Sequence, residues 1–112
     1  MKAIVYYRNS KEYYFDPSQI MFFEADDDYT YAHTAKHLYR VKYRLYELEK
    51  ILPDYYTRAS KSGLANIRHV LAFSTTVGTT GRVEFYGSLK TLHVSRNNIK
   101  TLRLALSERR AK

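Results

Sequence analysis

Tyr56-Thr-Arg-Ala-Ser-Lys-Ser-Gly-Leu-Ala-Asn-Ile-Arg-His-Val70 is the stretch on which the reading of this chain turns. The aromatic pair Tyr55 and Tyr56 leads into it. Arg58, Ser60, Lys61 and Ser62 then place two cations and two hydroxyls within five positions. Asn66 opens an apolar run that ends at Phe73. The pattern predicts a strand over Tyr55 to Arg58, a polar turn over Ser60 to Gly63, and a second strand over Ile67 to Phe73.

Downstream, Ser74 to Gly81 holds hydroxyls and glycines with no apolar period and reads as a loop. Arg82 to Tyr86 alternates as a strand should, Gly87-Ser88 turns, and Leu89 to Val94 returns with Leu89 and Leu92 as its apolar residues. Ser95 is a candidate N-cap for a closing helix, Arg96 to about Ser107, with Ile99, Leu102, Leu104 and Leu106 as its apolar set. Arg109 and Arg110 suit the negative end of that helix.

Upstream, Lys2 to Tyr7 and Glu12 to Phe15 read as strands joined by a turn at Arg8-Asn9-Ser10-Lys11. Asp16-Pro17-Ser18 interrupts, because proline lacks an N–H and restricts the residue before it. Ile20-Met-Phe-Phe-Glu-Ala25 is an apolar strand, and Tyr29 to Thr34 pairs back with His37 to Val41. Lys42 to Leu52 changes period: Leu45, Leu48 and Ile51 or Leu52 recur on one helical face, and Pro53 ends it. Glu47, Glu49 and Lys50 fall on the other side of that helix.

At 112 residues the chain is expected to fold as one domain over residues 1–112, with enough surface to bury for a core without staples. It has no cysteine, so disulfides and thiolate metal sites are excluded and a reducing cytoplasm fits. No apolar run reaches the roughly 20 residues of a membrane span, and the N-terminus lacks the features of a signal peptide.

The formal charge is +8 and is unevenly placed. Residues 1–57 carry 8 basic and 9 acidic side chains, whereas residues 58–112 carry 11 and 2. A one-sided basic half is the footprint expected of a phosphate partner. Solubility alone is the plain alternative. In this setting the turn at Ser60 to Gly63 has the shape and charge to enter a groove of nucleic acid.

Asp26-Asp27-Asp28 could be taken for a divalent-cation site, since hard cations prefer carboxylate oxygens. It reads better as a solvated hairpin turn: the EF-hand spacing is absent, and adjacent side chains of an extended chain point in alternate directions. His33, His37, His69 and His93 are scattered over separate elements without metal-ligand spacing. No nucleophile–base pair, phosphate-binding glycine loop or cofactor motif is recognisable, so no catalytic residue, metal or cofactor is expected.

The order of these pieces resembles the LytTR family of DNA-binding domains. The residues that carry the resemblance are Ile20 to Ala25, Tyr29, Leu45-Tyr-Glu-Leu48, Tyr56 to Ser62 with Asn66-Ile67, Gly87-Ser-Leu-Lys90, and Val94-Ser-Arg96. The match covers roughly Pro17 to Leu106. Such domains end many bacterial response regulators and sometimes stand alone. The resemblance implies a mostly β fold: small antiparallel sheets stacked in an elongated body, with short helices including one at the C-terminus. It also implies that loops, not a recognition helix, enter the DNA. Here those loops are Asp28 to Tyr31, Arg58 to Ser62 and Ser95 to Asn97.

On that resemblance Lys61 and Arg96 stand where family members place base-contacting side chains, with Tyr29 or Thr30 near the third such place. Some members carry a histidine and an asparagine where this chain has neither, so its preferred DNA sequence need not match theirs. The family further implies duplex DNA as partner, two copies on direct repeats with a possible homodimer there, bending of the DNA, and a receiver or sensor outside this sequence.

The chemistry of the individual residues agrees. A guanidinium such as that of Arg96 can give two parallel hydrogen bonds to guanine O6 and N7. The plain alternative, a solvated arginine in a first helical turn, opposes the helix dipole. Lys61 offers a point charge to guanine or to phosphate. Arg58, Ser60, Ser62, Ser95, Asn97 and Lys100 are the candidate phosphate contacts, which fix register without reading sequence. Asn66 suits a turn or cap better than a contact.

Two other architectures compete. A helix-turn-helix would need Thr57 to Phe73 to be helical through Gly63, at a cost of about 1 kcal/mol relative to alanine. An RNA-binding or protein-binding β-module would use the exposed tyrosines instead.

Overall fold

The computed structural model describes residues 3–76 and 79–109. Among these residues ten strands form in chain order: β1 Tyr6–Arg8, β2 Lys11–Tyr13, β3 Phe22–Asp26, β4 Tyr29–His33, β5 Leu38–Val41, β6 Tyr56–Ser60, β7 Gly63–Asn66, β8 Val70–Thr75, β9 Gly81–Phe85 and β10 Thr91–Val94. Two α-helices, α1 Leu45–Ile51 and α2 Ile99–Ser107, follow β5 and β10. All strand pairs are antiparallel. One sheet has seven strands in the order β2-β1-β5-β4-β3-β7-β6, and the other has three in the order β10-β9-β8. The body measures 43 × 34 × 27 Å.

The apolar run before Glu24 explains the layering. Successive strand residues face opposite sides of a sheet. Phe22 and Phe23 are both buried but belong to two different cores. Phe23 joins Tyr6, Ile20, Tyr39, Val41, Leu64 and α1 residues Leu45 and Leu48. Phe22 joins Met21, Val83, Phe85, Leu92, Val94 and Leu102, between the seven-stranded sheet, the three-stranded sheet and α2. A strand covered on both faces reads as a continuous apolar run, not as an alternation.

Several boundaries depart from the sequence reading. Ile67–His69 is a short 3-10 helix, not the start of a strand. Asn66 is fully buried, and its Oδ1 accepts from the Arg68 N–H at 3.0 Å while its Nδ2 donates to the Ile20 carbonyl at 3.0 Å. Its cap role stands. Gly63–Asn66 forms β7 in its place, and Ser60 belongs to β6, not to the turn. Leu89 is not on a strand and is wholly exposed. The Ser88 hydroxyl donates to the Ala35 carbonyl and accepts from the Lys90 N–H, which delays β10 to Thr91.

A 3-10 turn over Arg96–Asn98 precedes α2, which begins at Ile99. Leu104 is exposed, and Leu102 is the buried residue of that helix. Tyr56–Ser60 is strand, which rules out the helix-turn-helix alternative. Lys2, Val77, Gly78 and Arg110, which entered the sequence reading, lie outside the described residues.

Candidate nucleic-acid interface

The β6–β7 turn contains only Lys61 and Ser62, and both are exposed. A register shift between Arg58 and Ser60 marks a bulge at Ala59. Such a bulge bends the strand and re-aims the residues beyond it. Arg58 holds this turn from beneath. One of its Nη atoms donates to the Lys61 carbonyl at 2.9 Å, and the other pairs with the Glu49 carboxylate on α1. Ser60 is buried, and its hydroxyl accepts from the Ser62 N–H at 3.2 Å. Gly63 lies against β10, where a Cβ would stand 3.1 Å from Leu92 Cδ1.

The β3–β4 hairpin closes through Asp27 and Asp28, with Asp26 opposite Tyr29. Asp27 takes a φ of 53°, a left-handed conformation that aspartate tolerates in turns. All three aspartates are exposed, and no group of three metal-ligating side chains occurs among the described residues. Tyr29 is 44% exposed, with the Arg40 guanidinium 4.0 Å from its ring centroid. Thr30 is only 5% exposed, because it faces the core that holds Ala32 and Val41. It is therefore out of reach of a macromolecule.

The third turn joins β10 to α2. Ser95 is half-buried, and its hydroxyl accepts from Asn98 Nδ2 at 2.6 Å instead of capping a backbone N–H. Arg96, Asn97 and Lys100 are exposed.

Two backbone hydrogen bonds tie these turns into one edge. The Ala25 N–H donates to the Ser62 carbonyl at 2.8 Å, which fixes the β6–β7 turn to the strand that leads into Asp26-Asp27-Asp28. The Ser95 N–H donates to the Ala59 carbonyl at 2.9 Å, which fixes the β10–α2 turn to the bulge before Lys61. The edge thus carries the exposed side chains of Tyr29, Lys61, Ser62, Arg96, Asn97 and Lys100. Of the other expected contacts, Thr30 and Ser60 are buried, and Arg58 and Ser95 are engaged inside the protein.

Sequence reasoning missed a second polar set. Lys90 Nζ lies 3.3 Å from His33 Nδ1 and donates to the His37 carbonyl at 2.8 Å. His33 Nε2 lies 3.4 Å from Glu24 Oε1, and its ring stacks on Phe22 at 4.1 Å. Burial, with the Lys90 charge second, pushes the imidazole down to about 4, so His33 is neutral at physiological pH and its contact with Glu24 is not an ion pair. Burial, with Asp26 second, raises the Glu24 carboxyl. Beside Glu24, a groove of about 440 Å³ is lined by Ser74, Thr76, Thr80, Arg82, Thr91 and His93. The alternation around Arg82 announced a strand with outward polar residues, but not which residues of β8 and β10 would stand next to them.

Two comparisons with known proteins give the same description. Residues 10–107 match the family model for the LytTr DNA-binding domain. Among solved structures, the chain is similar to the LytTr DNA-binding domain of a protein described as a methyl-accepting/DNA response regulator from Bacillus cereus. The TM-score is 0.84 and the identity 24%, over 95% of this chain and 98% of that one. No curated protein matches.

Proposed function

The chain belongs to the LytTR family of DNA-binding domains, and on that premise we propose that it reads a specific duplex sequence through its turns as the output part of a bacterial transcription regulator. The observation that carries this reading is the pair of backbone tethers, Ala25 to Ser62 and Ala59 to Ser95, which hold three turns along one edge. Arg96 is the principal base reader, through paired hydrogen bonds to a guanine. Lys61 is the second, and Tyr29 extends the edge past the acidic hairpin. Ser62, Asn97 and Lys100 hold phosphates, while Arg58, Ser60 and Ser95 shape the turns that present these side chains.

On this reading residues 1–112 act as a single domain, in the cytoplasm, with no cofactor and no catalytic step. Two copies occupy direct repeats and meet as a homodimer on the DNA. A receiver or sensor outside this sequence supplies the input.

Selection of bound duplexes from a random pool tests the proposal. The wild-type chain should enrich one repeated sequence. Arg96→Ala should weaken binding to that duplex by about 1–3 kcal/mol while barely affecting duplex of mixed sequence. No enrichment, or an equal loss on both duplexes, overturns base reading by Arg96.

A further inference from the structure

The groove beside Glu24 sits one step from the edge just described. Val94 pairs with Gly81, and Gly81 pairs with Thr75. His93, Arg82 and Ser74 therefore form the next row across β10, β9 and β8, and all three are exposed. His93 precedes Ser95 by two residues, a rise of about 7 Å along the strand. Duplex DNA carries a charge for about every 1.7 Å of its axis. A duplex resting on the Ser95–Asn97 turn would have phosphates within reach of this row.

The side chains there are available. Arg58 and Arg109 are hydrogen-bonded to backbone carbonyls, and Arg40, Arg68 and Arg103 lie over aromatic rings. Arg82 has no such partner among the described residues. Among those residues the hydroxyls of Ser74, Thr76 and Thr80 likewise meet no acceptor. Hydroxyls, an imidazole and a guanidinium are the groups that hold phosphate oxygens.

We propose that the groove of Ser74, Thr76, Thr80, Arg82 and His93, bordered by Glu24, seats the phosphate backbone of the same duplex, next to the segment contacted by Arg96. The inference rests on the DNA-binding reading and extends the footprint onto the outer row of the three-stranded sheet. Glu24 acts in the opposite sense. Its carboxylate lines the groove, repels phosphate and moderates the affinity.

The test is a fluorescence anisotropy titration of the full chain against two labelled duplexes, the selected one and one of mixed sequence, over a salt series. Arg82→Ala should weaken both equally and make the log–log salt slope shallower by about 0.9. Its penalty should then be about 3.5-fold larger at 50 mM than at 200 mM salt. Arg82→Lys should restore most of the slope. Glu24→Gln keeps the shape of the side chain and removes the charge, so it should tighten binding to both duplexes. An unchanged slope in Arg82→Ala, or weaker binding in Glu24→Gln, overturns the groove proposal while wild-type binding and the Arg96→Ala loss leave the edge intact. If the wild-type chain binds neither duplex, both readings fall together.

Discussion

Arg58 looks from the sequence like a phosphate ligand, yet the fold gives it an internal task, and the two roles predict opposite results for one substitution. Its guanidinium joins the Lys61 carbonyl to the Glu49 carboxylate, with side chains 24% and 42% exposed for Arg58 and Glu49. A partly exposed ion pair contributes about 0.2–1 kcal/mol, and the hydrogen bond to the carbonyl about 1 kcal/mol. Arg58→Ala should therefore cost about 1–2 kcal/mol of stability. For a chain of this length that lowers the melting temperature by about 4–8 °C. It should also weaken DNA binding, because the turn that presents Lys61 must then be ordered on association. Glu49→Ala is decisive. If Arg58 is a strap, losing Glu49 loosens the turn and DNA binding weakens. If Arg58 is a phosphate ligand, losing Glu49 frees its charge, and binding tightens with a steeper salt slope. Anisotropy titrations of both single variants and the double variant measure this. Tighter binding by Glu49→Ala refutes the strap.

Two further outcomes concern the core between the sheets. Phe22 is 1% exposed and stacks on His33 and on Phe85, so Phe22→Ala should cost about 3–5 kcal/mol in urea unfolding; a loss below about 1 kcal/mol would contradict the packing described. His33 titrates near 4 when folded against 6.5 ordinarily, so the unfolded chain takes up the proton first as pH falls. Its contribution to stability is complete above about pH 6.5 and fades as pH falls toward 4. Urea midpoints should drop across that window, and His33→Phe should flatten the drop. An equal drop in both proteins would show that other groups cause it.

Much of this fold is written locally. The strand, turn and helix order followed from alternation, from Pro17 and Pro53, and from turn residues such as Asn9 and Ser10, which both take positive φ. Asp26-Asp27-Asp28 was legible as a hairpin because aspartate suits the left-handed conformation of Asp27. What escaped was set by distant partners. Ile67 to His69 could not be told from a strand, because Arg109 grips the Ile67 and Val70 carbonyls from the far end of the chain. Thr30 and Ser60 carry the right chemistry for contacts, but only the sheet faces decide that they turn inward. Glu49 was placed correctly on the polar side of α1. That side happens to look toward Arg58, nine residues later.

Because Phe22 and Phe23 stand back to back on one strand, the molecule has no seam along which it could come apart. Pulling out β3 would open both cores at once, so neither half can melt while the other persists. Heat or urea should take the whole domain down in a single transition, and the slowest-exchanging amides should lie on this shared plank. Force applied at any one turn is then borne by the entire body.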